Sequence, residues 1–286
     1  MKHVEHFHGS DLEKIEQIYH IKKENITSFS ANVNPLGISF KLRETLASHI
    51  DAITSYPDRE YTSLRKAIGR YINANYENIL VGNGSSELIS ILIQTKMPKN
   101  VLLLSPTYSE YEREVALCGG ECHYFQLKEE DNFVLDLDKL CATLQPDVDL
   151  LILCNPNNPT SSQITVETMR KLLEHCKQND ILVMVDETYV EFAEDVSLIS
   201  AIPLTEEFNN LFILRGISKF FAAPGLRLGY AVSSNQDLIT AINQKKNPWT
   251  INSLAAIAGE IMFSDEKYIN LSLIHISEPT RLDVIS

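Results

Sequence analysis

Five short runs of this chain are apolar at nearly every position: 78–82 (NILVG), 100–106 (NVLLLSP), 149–156 (DLLILCNP), 181–187 (ILVMVDE) and 210–216 (NLFILRG). They lack the polar alternation of a half-exposed strand, so they read as strands buried on both faces. Amphipathic segments separate them. In 166–180 (VETMRKLLEHCKQND), Met169, Leu172, Leu173 and Cys176 fall at helical spacing. Alternating strands and helices predict an α/β protein, a three-layer α/β/α sandwich around a mostly parallel sheet. A chain of 286 residues suits one large domain and a smaller one, and it shows no internal repeat or low-complexity linker.

The unusual polar residues sit just past the ends of these runs, as VGNGSSEL, SPTYSEY, CNPNNPT, VDETYVEF and RGISK. In an open α/β sheet, ligands bind in the crevice outside the carboxyl ends of the strands. Gly84, Ser85 and Ser86 precede the apolar helix LISILIQ, which offers an anion the free N–H groups of a helix N-terminus. A plain serine N-cap with Glu87 nearby explains the same letters equally well. Asp186 ends a buried strand, where a carboxylate needs a cationic partner such as a protonated ring nitrogen. Tyr189 and Asn158 can hydrogen-bond an oxygen on the same ring, and Tyr108 offers a stacking face. In 213–230 (ILRGISKFFAAPGLRLGY), Lys219 and Arg227 interrupt an apolar run. A buried lysine loses its proton or finds a partner, whereas a surface lysine only lays its stem along apolar surface. Ser218 and Arg227 complete an anion site. Taken together, the parts describe a phosphorylated pyridine aldehyde, pyridoxal 5′-phosphate, with a lysine to form a Schiff base.

The formal net charge of −13 argues against a nucleic-acid or anionic-membrane partner, since both need basic patches. No apolar run reaches membrane-spanning length and the N-terminus has no signal-peptide core, so the chain reads as cytoplasmic. Five scattered cysteines fit reduced thiols. Cys118, Cys122 and His123 lack a second ligand pair, and no metal site is expected. His3, His6 and His8 read as a flexible or substrate-facing arm.

With NPNNPT (155–160), VDETY (185–189) and SKFFAAPGLRLGY (218–230) at these separations, the chain resembles the fold-type I, class I/II aminotransferases from about Asn25 to about Asn270. The resemblance implies that fold, with part of a small α+β domain, and pyridoxal phosphate as cofactor. It makes Lys219 the Schiff-base lysine and sets Asp186 on the ring nitrogen, Asn158 and Tyr189 on the ring oxygen and Tyr108 against the ring. Gly84, Ser85, Ser86, Ser218 and Arg227 then hold the phosphate, and Lys219, Asp186 and Tyr189 form the catalytic set. Tyr56, in the YPD stretch, matches a tyrosine that reaches the partner subunit's site, so a homodimer is implied. Ser161 departs from the pattern, which has glycine after NPNNPT; a changed turn is expected there. The stretches HGSD (8–11), FSANVNPLG (29–37) and NPWTINSLAA (247–256) look most like threonine-phosphate decarboxylases, while histidinol-phosphate aminotransferases share YPD and most of the rest. Both imply a small phosphorylated amino substrate. A non-catalytic cofactor-binding relative is the weaker alternative, because it has no need of Lys219.

The expected division is an arm with part of the small domain (1–40), a cofactor-binding large domain (41–246), the start of an incomplete small domain (247–270) and a non-native tail (271–286). The tail, LSLIHISEPTRLDVIS, resembles one reading frame of a sequencing adapter and is expected to contribute no stable packing. An arginine that fixes the substrate in this family would lie in the missing part of the small domain.

Overall fold

The computed structural model describes residues 11–27, 32–144 and 147–277. The expectations for His3, His6 and His8 and for the tail beyond Ser277 lie outside these residues. All five apolar runs form strands of one seven-stranded sheet: β1 (Ile79–Gly82), β2 (Asn100–Ser105), β4 (Leu150–Cys154), β5 (Leu182–Asp186) and β6 (Leu211–Gly216). The sheet adds β3 (Glu121–Gln126) and β7 (Gly229–Val232), in the order β1-β7-β6-β5-β4-β2-β3. Only β7 runs against its neighbours, β1 and β6; the remaining pairings are parallel. The carboxyl ends of β1, β2, β4, β5 and β6 therefore share one edge.

The two strands that the hydrophobic pattern did not single out have simple physical reasons. β3 is an edge strand whose Glu121, His123, Tyr124 and Gln126 are exposed, so burial never demanded an apolar run. β7 is four residues long, and its glycine obscures the pattern.

Side chains alternate across the sheet, and the two faces build two separate cores. Leu151, Leu153, Val183, Val185, Leu211 and Ile213 pack with Met169, Leu172 and Cys176 of helix α7 (Val166–Gln178). Leu150, Ile152, Leu182, Met184, Phe212 and Leu214 pack with Leu88, Ile89 and Leu92 of helix α4 (Ser85–Lys96). This is the three-layer sandwich. The free edge of β1 is closed by two cations: Arg65 Nε donates to the Ile79 carbonyl (2.9 Å) and Lys246 Nζ to the Val81 carbonyl (2.8 Å), which leaves no bare edge carbonyls there for another strand to pair with.

Beyond Asn247 the chain forms helices α9 (Ser253–Met262) and α10 (Glu266–Ser277). Helix α9 packs on α2 (Phe40–Ser48) and α3 (Thr62–Ile72). Helix α10 runs through Asn270 without a break, Ser272 is fully buried, and Leu273 packs on the core. The expected absence of packing from Leu271 onward is thus corrected at Ser272 and Leu273, where the buried face of α10 continues, while Leu271 itself is exposed. No described helix is long and apolar enough to cross a membrane.

Directly after β5, Glu187 is fully buried and receives two hydrogen bonds from Arg215 of β6, at 2.9 and 2.7 Å. A second buried carboxylate, Glu191, lies 3.8 Å from the same guanidinium and 3.5 Å from the Tyr71 hydroxyl. One guanidinium thus serves two carboxylates. Burial pushes Glu191 up from 4.5 to about 7, with Arg215 pulling it back toward the charged form. The native state therefore keeps this proton in an interval where the unfolded chain has released it. Its stabilising contribution is fully present below the unfolded value of 4.5 and is lost as pH rises through about 7. Glu191→Gln, neutral throughout, is expected to flatten that fall: melting temperature followed from about pH 5 to about pH 8 should decline less than in the parent protein. Parallel curves for the two proteins would refute the assignment.

Candidate active site

A cavity of about 400 Å³ opens at the shared carboxyl edge of the strands, lined by Ser85, Ser86, Tyr108, Asn158, Asp186, Tyr189, Ser218, Lys219 and Arg227. Sequence positions more than 140 apart meet there because parallel strands deliver their following loops to the same edge. Gly84 adjoins it as the N-cap of α4.

Asp186 is 5% exposed, and three hydrogen bonds orient its carboxylate. The Tyr111 hydroxyl donates to Oδ2 (2.8 Å), and the Thr188 N–H (2.9 Å) and hydroxyl donate to Oδ1. Burial raises its pKa, and the Thr188 and Tyr111 bonds counteract that rise. All three donors are neutral groups. The carboxylate thus remains an attractive partner for a cationic ring N–H inside the cavity.

Lys219 is half-buried in the same cavity, and desolvation lowers its pKa, which raises the fraction of neutral, nucleophilic amine. Its Nζ lies 5.5 Å from the centre of the Tyr189 ring. Burial raises the pKa of the Tyr189 phenol, and a hydrogen bond with the Asn32 side chain works in the opposite direction. Tyr108 stands edge-on to Tyr111, with ring centres 5.5 Å apart. Tyr111 is buried in the core beneath β5 and holds Asp186, while Tyr108 lines the cavity.

The N-terminus of α4 decides between the two readings of GNGSSE. The N-cap is Gly84, at φ +78°, with no side-chain capping bond, so Ser85 and Ser86 are not ordinary caps. Glu87 reaches back to the Asn83 N–H (2.7 Å) and accepts the Thr250 hydroxyl. Ser85 and Ser86, at the end of the helix whose first N–H groups have no intrahelical partner, line the cavity together with Arg227. Two glycines permit this close approach. A Cβ on Gly84 would lie 2.4 Å from Arg227 Nη2, and one on Gly229 would lie 2.4 Å from the Ser85 nitrogen. The cradle combines a helix N-terminus, two hydroxyls and a guanidinium, a donor set suited to a dianionic phosphate.

Tyr56 is not among the residues brought together. It is 81% exposed and packs on Trp249, with ring centres 4.8 Å apart. Conversely, Tyr111, Thr188, Cys154, Asn32 and Val33 line the cavity without having been singled out in the sequence. Tyr111 follows Tyr108 by three residues at the start of helix α5 (Glu110–Leu117), where an aromatic reads as ordinary core. Its hydroxyl was the available signal, since a buried phenol needs a partner.

The aminotransferase class I and II family model matches residues 24–278. The chain is similar to a putative threonine-phosphate decarboxylase of Caldanaerobacter subterraneus subsp. tengcongensis, with 40% identity covering 84% of this chain and 64% of that protein. It is 33% identical to the threonine-phosphate decarboxylase of Salmonella typhimurium, covering 91% of this chain and 71% of that one. Among solved structures, the histidinol-phosphate aminotransferase from Clostridium acetobutylicum superposes with a TM-score of 0.81 at 33% identity, covering 87% of this chain and 73% of that one. The chain thus spans a little under two thirds of the first of these relatives.

The loop carrying Asn158 corrects one expectation. Ser161 sits at φ +57°, in the left-handed region, so the turn keeps the shape that glycine favours. The bonds Ser161 N–H to Asn157 carbonyl (2.7 Å) and Asn157 N–H to Ser162 carbonyl (2.9 Å) hold it there, and Asn157 Nδ2 donates to the Thr160 hydroxyl (2.8 Å). A non-glycine residue in this region costs about 1–2 kcal/mol, partly offset by the greater freedom glycine has in the unfolded chain. Ser161→Gly is expected to raise stability by about 0.5–1 kcal/mol, or about 2 °C in melting temperature. An unchanged or lower melting temperature would show that the serine is unstrained.

Proposed function

The chain belongs to the class I and II aminotransferase family, and we propose that it is a pyridoxal-phosphate enzyme acting through Lys219 on a small phosphorylated amino compound. The observation that carries the reading is one cavity holding a half-buried lysine, a buried carboxylate with only neutral donors, and a helix-terminal anion cradle. Bound there, pyridoxal phosphate would supply an electron sink for the bond to be broken at the substrate carbon next to the amine.

The residues divide that task among them. Ser85, Ser86, Ser218, Arg227 and the first N–H groups of α4 would bind the phosphate. Asp186 would hold a proton on the ring nitrogen, with Tyr111 and Thr188 fixing its carboxylate. Tyr189 and Asn158 would donate to the ring oxygen, and Tyr108 would pack against the ring. Lys219 would supply the amine that links the cofactor and would carry the proton at the substrate carbon.

For the reaction itself, we take histidinol-phosphate-type amino transfer as the first reading, supported by the similarity to the Clostridium acetobutylicum structure. Threonine-phosphate decarboxylation is the second, supported by two relatives bearing that name. The exposed Tyr56 and its neighbour Trp249 support a homodimer in which Tyr56 serves the partner's cavity. The acidic balance of the chain supports neither a nucleic-acid partner nor an anionic-membrane one, and we infer a cytoplasmic enzyme.

Borohydride reduction of protein mixed with pyridoxal phosphate is expected to fix the cofactor on the peptide containing Lys219, read by mass spectrometry, and Lys219→Ala should carry none. Persistent reducible cofactor in that variant would overturn the assignment. With histidinol phosphate and an oxo-acid acceptor, amino transfer supports the first reading; release of CO₂ from threonine phosphate supports the second. The Tyr56 role has its own test. Mixing Lys219→Ala with Tyr56→Ala should restore activity that neither variant has, because a mixed dimer contains one intact site. No recovery after verified subunit exchange would sink it.

A further inference from the structure

Lys219 lies outside the sheet. β6 ends at Gly216, and the backbone hydrogen bonds that the turn from Ile217 to Ala223 makes within itself are long: Ala222 N–H to the Lys219 carbonyl (3.3 Å) and Ala223 N–H to the Ile217 carbonyl (3.4 Å). Such distances lie beyond the usual N–H···O range of 2.7–3.2 Å, and the bonds are correspondingly weak. The short bonds to this segment come from far away in the sequence.

Asn34 supplies them. It is 3% exposed; its N–H donates to the Lys219 carbonyl (3.0 Å), and its side-chain Nδ2 donates to the Phe220 carbonyl (2.9 Å). Nδ2 also lies 2.9 Å from Ser272 Oγ and 3.3 Å from the Tyr268 hydroxyl, both on α10. Its Oδ1 accepts the Leu36 N–H (3.0 Å), which sets the way the amide faces. Tyr268 in turn donates to the Gly37 carbonyl (2.6 Å). Two consecutive carbonyls at the lysine thus take their shortest hydrogen bonds from one residue, and that residue is clamped by α10, whose Tyr268 hydroxyl also lies 3.4 Å from the Phe220 carbonyl. Two positions earlier, the Asn32 side chain bonds the Tyr189 hydroxyl, so the same short stretch touches both the lysine backbone and the tyrosine of the cavity.

We propose that Asn34 is a positioning residue for Lys219: by fixing the Lys219 and Phe220 carbonyls, and being fixed itself by Tyr268 and Ser272, it sets the direction in which the lysine amine enters the cavity. The backbone direction at Lys219 determines where its long side chain starts, and a displacement of about 1 Å at a reacting group costs as much as two orders of magnitude in rate. This inference rests on Lys219 being the cofactor-linked lysine.

The test reads the amine itself, in protein without cofactor. Competitive acetylation across a pH series, followed by mass spectrometry, reports the titration of each lysine. Asp186, Tyr108, Tyr189 and Arg227 share the cavity with Lys219, and burial there keeps its amine below the ordinary lysine range. In Asn34→Ala, which keeps the backbone N–H but loses the side-chain clamp, the Lys219 midpoint is expected to rise toward the ordinary lysine range as the amine leaves its desolvated position. Exposed Lys171 on α7 serves as an internal reference and should not move. Cofactor capture, read as borohydride-reducible adduct, should slow in parallel. A folded Asn34→Ala with an unmoved Lys219 midpoint overturns the proposal. If that variant does not fold, Tyr268→Phe takes its place: a shift in the same direction supports the proposal, and an unmoved midpoint overturns it. Reducible cofactor persisting in Lys219→Ala would instead overturn the underlying reading of the lysine.

Discussion

The burial of the Asp186 carboxylate is the constraint on which the rest of the site depends. Successive residues of a strand point to opposite faces, so the run Val185-Asp186-Glu187 sends two adjacent carboxylates into two different layers. Each must be compensated, and the compensation differs. Glu187 faces the α7 side and meets Arg215, a cation provided by the neighbouring strand. Asp186 faces the α4 side and receives hydroxyl and amide donors only. Breaking a buried ion pair costs about 3–5 kcal/mol, so Arg215 locks the end of β5 to the end of β6. Asp186, in contrast, is left with an attraction for positive charge that faces an open cavity.

The anion cradle lines the same cavity and attracts charge of the opposite sign. A helix N-terminus carries about half a positive charge, and Arg227 adds a full one. On the proposed reading, a ligand with a protonated ring nitrogen at one end and a phosphate at the other would be oriented by these two opposite charges. Glycines at 84 and 229 let these charges converge, since a methyl group at either position would occupy the space of the guanidinium or of the Ser85 nitrogen.

The apolar runs made the central strands and the site legible in the sequence, because the same burial that demands five continuous Val, Ile and Leu stretches also makes any polar residue at their ends conspicuous. Asp186, Lys219 and Arg227 stood out for that reason. Tyr111 did not, since an aromatic in an amphipathic helix is ordinary and only its hydroxyl distinguishes it. β3 was hidden by its exposure at the sheet edge. Ser161 was read as a change of turn, whereas its surrounding hydrogen bonds impose the glycine-like conformation on a serine. Ser272 and Leu273 fall in the stretch expected to be a non-native tail, yet both pack inward and Ser272 meets Asn34, a contact spanning 238 positions that no local pattern announces.

That last contact points to the general division of labour. The sheet fixes groups that emerge directly from strand ends, such as Asp186, to the accuracy of the ladder itself. Lys219 comes three residues after β6 ends, in a turn (217–223) whose own backbone bonds are 3.3–3.4 Å long, so the ladder alone does not aim it. A lysine that carries protons to and from a substrate carbon needs a fixed starting point for its long side chain, and an anchored backbone provides one. Anchoring from Asn34 places that control in the segment before α2 and in α10, the two parts of the chain that flank the cavity-bearing sheet in sequence. The elements that appear peripheral in the order of the chain are therefore the ones that hold the reactive amine in register with the fixed carboxylate.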